Sequence, residues 1–326
     1  MILPYFLRLF CLCLTSFLLI HSAMGLAVWL AAPSAIRKAE AMRPRVAARF
    51  LLFLRALPAL LAAFVVLVLG VPSYMWLEPK ATQETVSVAC CVAALIGTSV
   101  WCLSIARAAR AALRSGRYAR QCQLVGREIF SESRSSAVTL LEVEAPVVAL
   151  AGVLRPRILI SRSVLRVLTP DQLDAALRHE NAHRTSCDNL KRFLILLAPE
   201  IFPLSCGMAA LECAWARFSE WAADDEATGG DERESLFLAA ALINVARLGT
   251  APQPSLAIAP LIAGDLGLST RVDRLLQGNA QSTASLWQRT GILGCALTLL
   301  AVALASAMEW PAILRTAHLL LERLVG

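Results

Sequence analysis

His179-Glu180-Asn181-Ala182-His183 sets two histidines four residues apart, with a glutamate directly after the first. In an α-helix, residues i and i+4 lie on one face about one turn apart, so both imidazoles can reach a single metal ion. Glu180 lies beside that face, where its carboxylate can hold a water molecule without binding the metal itself. The spacing therefore predicts a metal centre on a helix, with His179 and His183 as ligands.

The residues before this stretch are typical of a helix start. Thr169 can cap the helix, Pro170 suits the first helical position, and Gln172 completes a capping box. Between Pro170 and Arg192 neither Gly nor Pro interrupts the chain, which favours a helix through the whole motif. The H-E-x-x-H pattern on a helix is typical of zinc metallopeptidases. The sequence thus predicts one catalytic Zn²⁺, with Glu180 as the catalytic base.

The composition indicates a membrane protein. Apolar residues make up 57% of the 326 residues, and the mean hydropathy is +0.62, which is unusual for a soluble domain. The first apolar run also has features of a cleaved signal peptide, but its length and the lack of a basic residue before Arg8 favour a retained anchor. Runs long enough, or nearly so, to cross a bilayer lie at residues 9–32, 50–77, 86–106 and 286–308. We therefore expect four transmembrane helices.

Basic residues give these helices an orientation. Five basic residues and one acid lie between residues 33 and 49, and five arginines follow the third apolar run, whereas the loop at 78–84 has almost no basic excess. Because basic loops stay in the cytosol, the N-terminus is expected outside and the segment between the third and fourth spans inside. The net charge of +7 then follows from topology, so the lipid bilayer is the expected partner and nucleic acid is not.

Short β-branched stretches follow the third span. They lie at residues 138–143, 146–150 and 155–161, are punctuated by Gly and Pro, and predict a small sheet or hairpin. The edge of such a sheet can hold an extended peptide by strand addition, or the hairpin can serve the core alone. The ten cysteines form no C-x-x-C pair and favour neither a disulfide framework nor a second zinc site.

A catalytic zinc takes three protein ligands and leaves one position for water. The two other histidines lie in the first apolar run and in the tail, so the third ligand is expected to be Cys, Asp or Glu. The best source is residues 218–225, where Glu220 and Asp224 are one helical turn apart. Glu220 can bind the metal while Asp224 orients a ligand histidine. The neighbouring acids Asp225 and Glu226 are assigned no metal role.

This ligand set constrains the apolar stretch at 193–211. A single membrane crossing there would put His183 and Glu220 on opposite sides of the bilayer. Two helical legs would share 36 intervening residues, about 27 Å each, which is too short to cross and return. Pro199 and Pro203 also break the run. We expect a hairpin that dips into or lies against the membrane, which places the metal near the bilayer surface.

The chain resembles the BlaR/MecR-type membrane zinc metallopeptidases in its order of three spans, a cytosolic H-E-x-x-H domain and one further span. The matching stretches are Leu154-Arg155-Pro156 to Ile160, Thr169-Pro170, His179 to His183, Asp188-Asn189-Leu190 and Glu220 to Asp224. The resemblance implies zinc binding by His179, His183 and Glu220, catalysis by Glu180, and supporting roles for Asp188 and Asp224. The well-known members end in an extracellular penicillin-binding domain, whereas about 18 residues follow the last apolar run here.

The expected organisation is a three-span region at 1–113, a cytosolic α+β gluzincin-like domain at 114–285, a fourth transmembrane helix at 286–308 and a short extracytoplasmic tail at 309–326. The resemblance implies a multi-pass protein of the bacterial cytoplasmic membrane that cleaves a protein substrate. The substrate that it implies is a cytosolic transcriptional repressor. Two alternatives stay open at this point. One is an HtpX-like quality-control protease, and the other is a non-proteolytic transducer, which would not need the base Glu180.

Overall fold

A computed structural model of the protein describes residues 4–78, 86–130, 137–200, 206–249, 258–260, 265–277 and 310–325. Within these ranges the chain is mostly helical and contains one small sheet. Three helices are long and apolar enough to cross a membrane: Tyr5–Glu40, Pro44–Leu77 and Val88–Leu124. The prediction of a mainly α-helical chain is therefore confirmed, and three of the predicted spans are helices that could cross a membrane. The expected fourth span at 286–308 lies outside the described residues.

The membrane region is built from α1 (Tyr5–Glu40), α2 (Pro44–Phe64), α3 (Val71–Leu77) and α4 (Val88–Val125). Residues Val65–Gly70 wind as a π-helix and join α2 to α3 in one rod. Pro44 begins α2, at a position where a missing N–H costs no hydrogen bond. The 38 residues of α4 extend about 57 Å, well beyond the roughly 30 Å of a bilayer core. The third predicted span, expected at 86–106, thus continues as a helix to Val125.

The sheet begins directly after α4. Its strands are β1 (Arg127–Phe130), β2 (Ala137–Leu141), β3 (Val148–Ala151), β4 (Arg157–Ser161) and β5 (Ile258–Pro260), in the order β1-β2-β4-β3-β5. The β2–β4 pair is parallel and the other pairs are antiparallel. The three predicted β stretches are confirmed as β2, β3 and β4. Sequence reasoning missed β1 and β5, because three or four residues are too few to show an alternating pattern.

The two faces of the sheet pack against different helices. Val148 and Leu150 belong to a core shared with α5 (Arg162–Val167), α6 (Pro170–Thr185) and α9 (Glu232–Arg247). Ala149 and Ala151, which point the other way, pack with Cys122 of α4. Successive residues of a strand face opposite sides, so one short strand serves both cores. The sheet therefore links the third span directly to the helix that carries the two histidines.

The histidine helix begins as predicted and carries the whole motif. Thr169 and Gln172 form the expected capping box. The helix stops at Thr185, and α7 (Asp188–Leu197) starts after Cys187, whose φ of 55° is left-handed. Neither Gly nor Pro marks this turn in the sequence. Since a left-handed non-glycine residue is strained, surrounding contacts must hold the turn.

α8 (Cys206–Thr228) connects the membrane region to the rest of the chain. Leu211, Trp215 and Phe218 pack with Val28 of α1 and Leu51 of α2 in one buried cluster. The apolar stretch 193–211 contains the end of α7 and the start of α8, so it is not a continuous fifth spanning helix.

Two ion pairs fix this region to the spans. Arg55 Nε lies 2.7 Å from Glu212 Oε1, and Arg107 NH1 lies 2.6 Å from Glu200 Oε2.

α10 (Asp265–Leu276) and α11 (Trp310–Val325) lie at opposite ends of the helical bundle. α10 packs on α8 and α9. α11 packs on α3 and the π-helical segment, with His318 Nε2 3.6 Å from Glu78 Oε2. The Pro44 end of the α2–α3 rod, in contrast, lies beside α8, where Arg45 pairs with Glu226. The part of the expected tail at 310–325 therefore meets the Leu77 end of the α2–α3 rod.

We expect Glu212→Gln to lower the thermal stability of the full chain in detergent, because Arg55 is only 5% exposed and would lose its carboxylate. Breaking a fully buried pair costs about 3–5 kcal/mol, and the partial exposure of Glu212 reduces this to about 1–2 kcal/mol. Glu226→Gln is the matched control, since its pair with Arg45 is largely exposed and worth at most about 1 kcal/mol. Equal melting temperatures for the two variants would show that the Arg55 pair does not stabilise the α8 packing.

Candidate metal centre

The two histidines of α6 face one point in the interior. His179 and His183 are one turn apart and 0% and 1% exposed. Their Nε2 atoms lie 3.1 Å from each other. Ligand atoms about 2.0–2.1 Å from a tetrahedral metal are about 3.3 Å apart, so this separation suits two ligands of one ion.

Glu220 comes from α8 and completes the group. Its Oε2 lies 3.5 Å from His179 Nε2, and its Oε1 lies 3.6 Å from His183 Nε2. The three ligand atoms all lie within 4.8 Å of one another, and all three side chains are buried. A small inward movement of the glutamate would give the separations expected around a tetrahedral ion. The predicted ligand set is thus assembled in space, and it could hold a metal ion.

Carboxylates fix the far side of each imidazole. His183 Nδ1 lies 2.7 Å from Asp188 Oδ2, and His179 Nδ1 lies 2.9 Å from Asp224 Oδ1. An ionised carboxylate only accepts hydrogen bonds, so His183 Nδ1 donates to Asp188, while His179 Nδ1 faces Asp224 at a comparable distance. The Nε2 atoms of both rings therefore face the position that a metal ion could fill. Each aspartate thus contacts a histidine, as expected for a supporting role. This arrangement orients metal-binding histidines in many proteins.

The left-handed turn at Cys187 explains how Asp188 reaches His183. After this turn, α7 starts with Asp188, which accepts hydrogen bonds from Ser219 Oγ at 2.8 Å and Lys191 Nζ at 2.7 Å. The hydrogen bond and charge of His183, followed by those of Lys191, lower the pKa of Asp188 against the effect of burial, which acts to raise it. The strained Cys187 turn thus places the Asp188 carboxylate, which Ser219 of α8 and His183 of α6 also contact.

Asn189 anchors the same turn to the sheet. Its side-chain amide donates to the carbonyls of Leu150 and Gly152 at 2.9 and 2.8 Å. Gly152 has a φ of 103°, a conformation that glycine adopts without the strain imposed by a side chain. The hairpin between β3 and β4 is therefore bonded directly to the helix that supports His183.

Protons and a metal compete for this site. Burial acts to lower the pKa of His183, but the carboxylates of Glu220 and Asp188 raise it to about 10. Burial acts to raise the pKa of Glu220, yet the neighbouring His183 and His179 hold it well below its usual value. These opposite shifts favour a positive charge, either a proton or a metal ion, between His183 and Glu220. A divalent ion at Nε2 would replace the His183 proton, since metal-binding histidines must be neutral.

Glu180 lies beside the ligands and is itself fully buried. Neither of its carboxylate oxygens has a hydrogen-bond partner within the described parts of the chain. Burial raises the pKa of Glu180 to about 7, although the nearby His179 and His183 act to lower it. An unpaired buried carboxylate is costly unless a ligand or water satisfies it. A pKa near neutrality suits a group that accepts and then returns a proton.

Arg271 of α10 is the site residue that sequence reasoning missed. Its guanidinium forms a two-bond contact with Asp224, at 2.9 and 2.7 Å, and its NH1 lies 3.1 Å from Glu220 Oε2. Burial and Arg271 have opposite effects on the pKa of Asp224, which the arginine and His179 lower to about 2. Arg271 follows Asp224 by 47 residues and belongs to no recognised motif, so no signal in the sequence pointed to it.

The acids given no metal role lie elsewhere. Asp225 pairs with Arg274, and Glu226 pairs with Arg45 at 2.8 Å.

The described residues thus contain a buried His-His-Glu group that could hold a metal ion, with a buried glutamate beside it. No protein-family model matches this chain, and no curated protein matches it.

Glu220→Ala should sharply lower metal retention, because two histidines alone would remain as ligands. Asp224→Ala should have a smaller effect, about 10- to 100-fold, as is usual when the support of a ligand is lost. Glu226→Ala is the control, since its carboxylate pairs with Arg45 away from the site. Metal content of the purified chain after dialysis against a mild chelator measures all three. Retention by Glu220→Ala equal to that of the parent would place the third ligand elsewhere.

Proposed function

We propose that this chain is a membrane-anchored zinc endopeptidase. The observation that carries the proposal is the placement of Glu180, a buried carboxylate with both oxygens unpaired among the described residues, beside an assembled His-His-Glu group. A site that only stored a metal would gain nothing from burying such a carboxylate, which costs free energy. A hydrolytic site needs this group as its base.

Zinc is the metal that best fits these ligands. Two imidazoles and one carboxylate form the His₂Glu set of catalytic zinc sites, which leaves a fourth position open. When bound there, zinc activates a water molecule and polarises the carbonyl group of the scissile bond. Asp188 and Asp224 lie against the Nδ1 side of the two imidazoles, which supports an orientation with both Nε2 atoms facing one point.

Glu180 would move the proton. Its carboxylate accepts a proton from the attacking water and donates it to the leaving amine as the peptide bond breaks. A pKa of about 7 makes both transfers accessible near neutral pH. Because burial is the main cause of this raised pKa, the enclosure of Glu180 in the interior tunes the base.

The position of the site supports action near a membrane surface. Glu220 and the apolar residues that pack on α1 and α2 belong to one helix, α8. Phe218, two residues before Glu220, lies in that shared cluster and is 1% exposed. Substrate segments close to the bilayer would therefore reach the site most easily. Following the resemblance to the BlaR/MecR-type peptidases, we propose a cytosolic repressor protein as the substrate.

The path of the chain supports a fourth span. Arg271 lies at the metal centre, beside the Pro44 end of the α2–α3 rod, whereas α11 packs at the opposite end, near Glu78. That rod has 34 residues and is about 51 Å long. Residues 278–309 lie outside the described parts of the chain, and we propose that they connect these ends. Its apolar run at 286–308 would span about 34 Å as a helix, enough to cross a bilayer.

Glu180→Gln should keep zinc and lose proteolysis, because an amide cannot accept the proton of the attacking water. We expect at least a 100-fold drop in the cleavage of casein, or of the chain itself, within the range of about 10²–10⁴ for loss of a general base. Glu144→Gln, an exposed surface acid, is the matched control. Zinc content measured in parallel separates loss of metal from loss of chemistry. Undiminished cleavage by Glu180→Gln would remove this residue from the mechanism.

Reporter fusions test the proposed topology. Fusions after residues 45, 82, 130 and 318 should report inside, outside, inside and outside, as the distribution of basic residues predicts. The fusion at 318 is the most informative, since it depends on the crossing at 286–308. A cytosolic report at that position would contradict a fourth span.

A further inference from the structure

Arg271 is enclosed within the metal centre. It is 4% exposed, and all three of its guanidinium nitrogens are engaged. Nε and NH2 contact the two oxygens of Asp224, NH1 contacts Glu220, and NH2 also lies 3.4 Å from His179 Nε2. The side chain thus touches a metal ligand on each of two helices, and the carboxylate that supports one of them.

The charges of the site explain why a cation is needed there. Glu180, Glu220 and Asp224 are all buried acids. A divalent ion would balance two of three ionised carboxylates, and Arg271 balances the third. Asp188 has its own cation, Lys191, at 2.7 Å. Because unbalanced charge in the interior is strongly unfavourable, the complete centre is close to neutral only with Arg271 in place.

The geometry of the guanidinium does more than supply charge. A planar fork on a carboxylate forms two parallel bonds and fixes the rotation of its partner. Held in this way, Asp224 keeps its Oδ1 at 2.9 Å from His179 Nδ1. The remaining nitrogen holds Glu220 Oε2 at 3.1 Å, while Oε1 stays on the His183 side at 3.6 Å. Arg271 therefore holds two carboxylates of the site in position, those of Asp224 and Glu220.

We propose that Arg271 is a positioning residue of the metal centre. It acts through Asp224, to keep His179 oriented, and through Glu220, to keep its carboxylate between the two histidines. This inference rests on the proposed zinc function and adds a residue on a third helix to the centre. It also makes metal binding depend on the docking of α10, the helix that directly precedes the last apolar run of the sequence.

α10 offers its own matched control. Arg274 is three residues after Arg271 and forms the equivalent pair with Asp225, the residue after Asp224. That pair is partly exposed and touches no metal ligand. Arg274→Met removes a positive charge and an interhelical contact from the same helix, whereas Arg271→Met also removes support from the metal centre. The two variants therefore separate docking of the helix from positioning of the ligands.

The experiment measures zinc affinity of the full chain in detergent by competition with a chromophoric chelator. We expect Arg271→Met and Arg271→Lys each to weaken binding about 10- to 100-fold, because lysine keeps the charge but not the fork. Arg274→Met should stay within about fivefold of the parent, as for a partly exposed ion pair. The double variant Arg271→Met/Asp224→Asn should bind no more weakly than the weaker single variant, since both changes break the same link.

Thermal unfolding checks that each variant is folded. If Arg271→Met alone unfolds, Arg271→Lys and the double variant still test the proposal, because lysine keeps a cation beside both acids, and Asp224→Asn removes one of the two carboxylates that would face the methionine. Parent-like affinity in Arg271→Lys would mean that charge suffices, and would overturn positioning by the fork. Additive losses in the double variant would overturn action through Asp224. A parent that binds no zinc overturns this proposal and the proposed function together, whereas unchanged zinc binding in every Arg271 variant overturns this one alone.

Discussion

Four carboxylates, those of Glu180, Asp188, Glu220 and Asp224, lie buried within one small region of this protein. Each ionised carboxylate that leaves water must find cations or N–H groups, or it takes up a proton. The surrounding structure meets this demand in an ordered way. Asp188 receives Lys191, Ser219 and His183, while Asp224 receives Arg271 and His179.

Glu220 and Glu180 are left with the position that a metal ion could fill. The arrangement of α6, α7, α8 and α10 around one point follows from this pairing of charges.

The same helices also join the centre to the membrane region. α8 has its apolar side in the cluster with α1 and α2, and it delivers Glu220 to the histidines. α4 runs without a break from the third apolar span to the sheet, whose opposite face packs on α6. Two ligands on one helix and a third on another therefore depend on contacts with the spans. A shift of these long helices would change the distance between α6 and α8.

Local sequence determined the parts of the site that lie close together in the chain. The spacing of His179 and His183 places both on one face of a helix, whatever surrounds it. The capping box at Thr169 starts that helix because its hydrogen bonds are local. Long apolar runs likewise identify the three described spans, since the bilayer imposes a length and a polarity on any crossing helix. Glu220 and Asp224 could be singled out because one turn of a helix separates a ligand from a supporting acid.

Tertiary structure decided what is distant in the chain or locally strained. The left-handed Cys187 turn, which brings Asp188 to His183, is stable only with the bonds of Asp188 to α8 and of Asn189 to the sheet. Arg271 enters the centre because α10 docks on α8 and α9, a contact that no local pattern encodes. Short strands such as β1 and β5 form because neighbouring strands supply their hydrogen bonds. Periodicity and capping act within a few residues, whereas charge pairing in a buried site acts between elements, and only the folded chain brings those elements together.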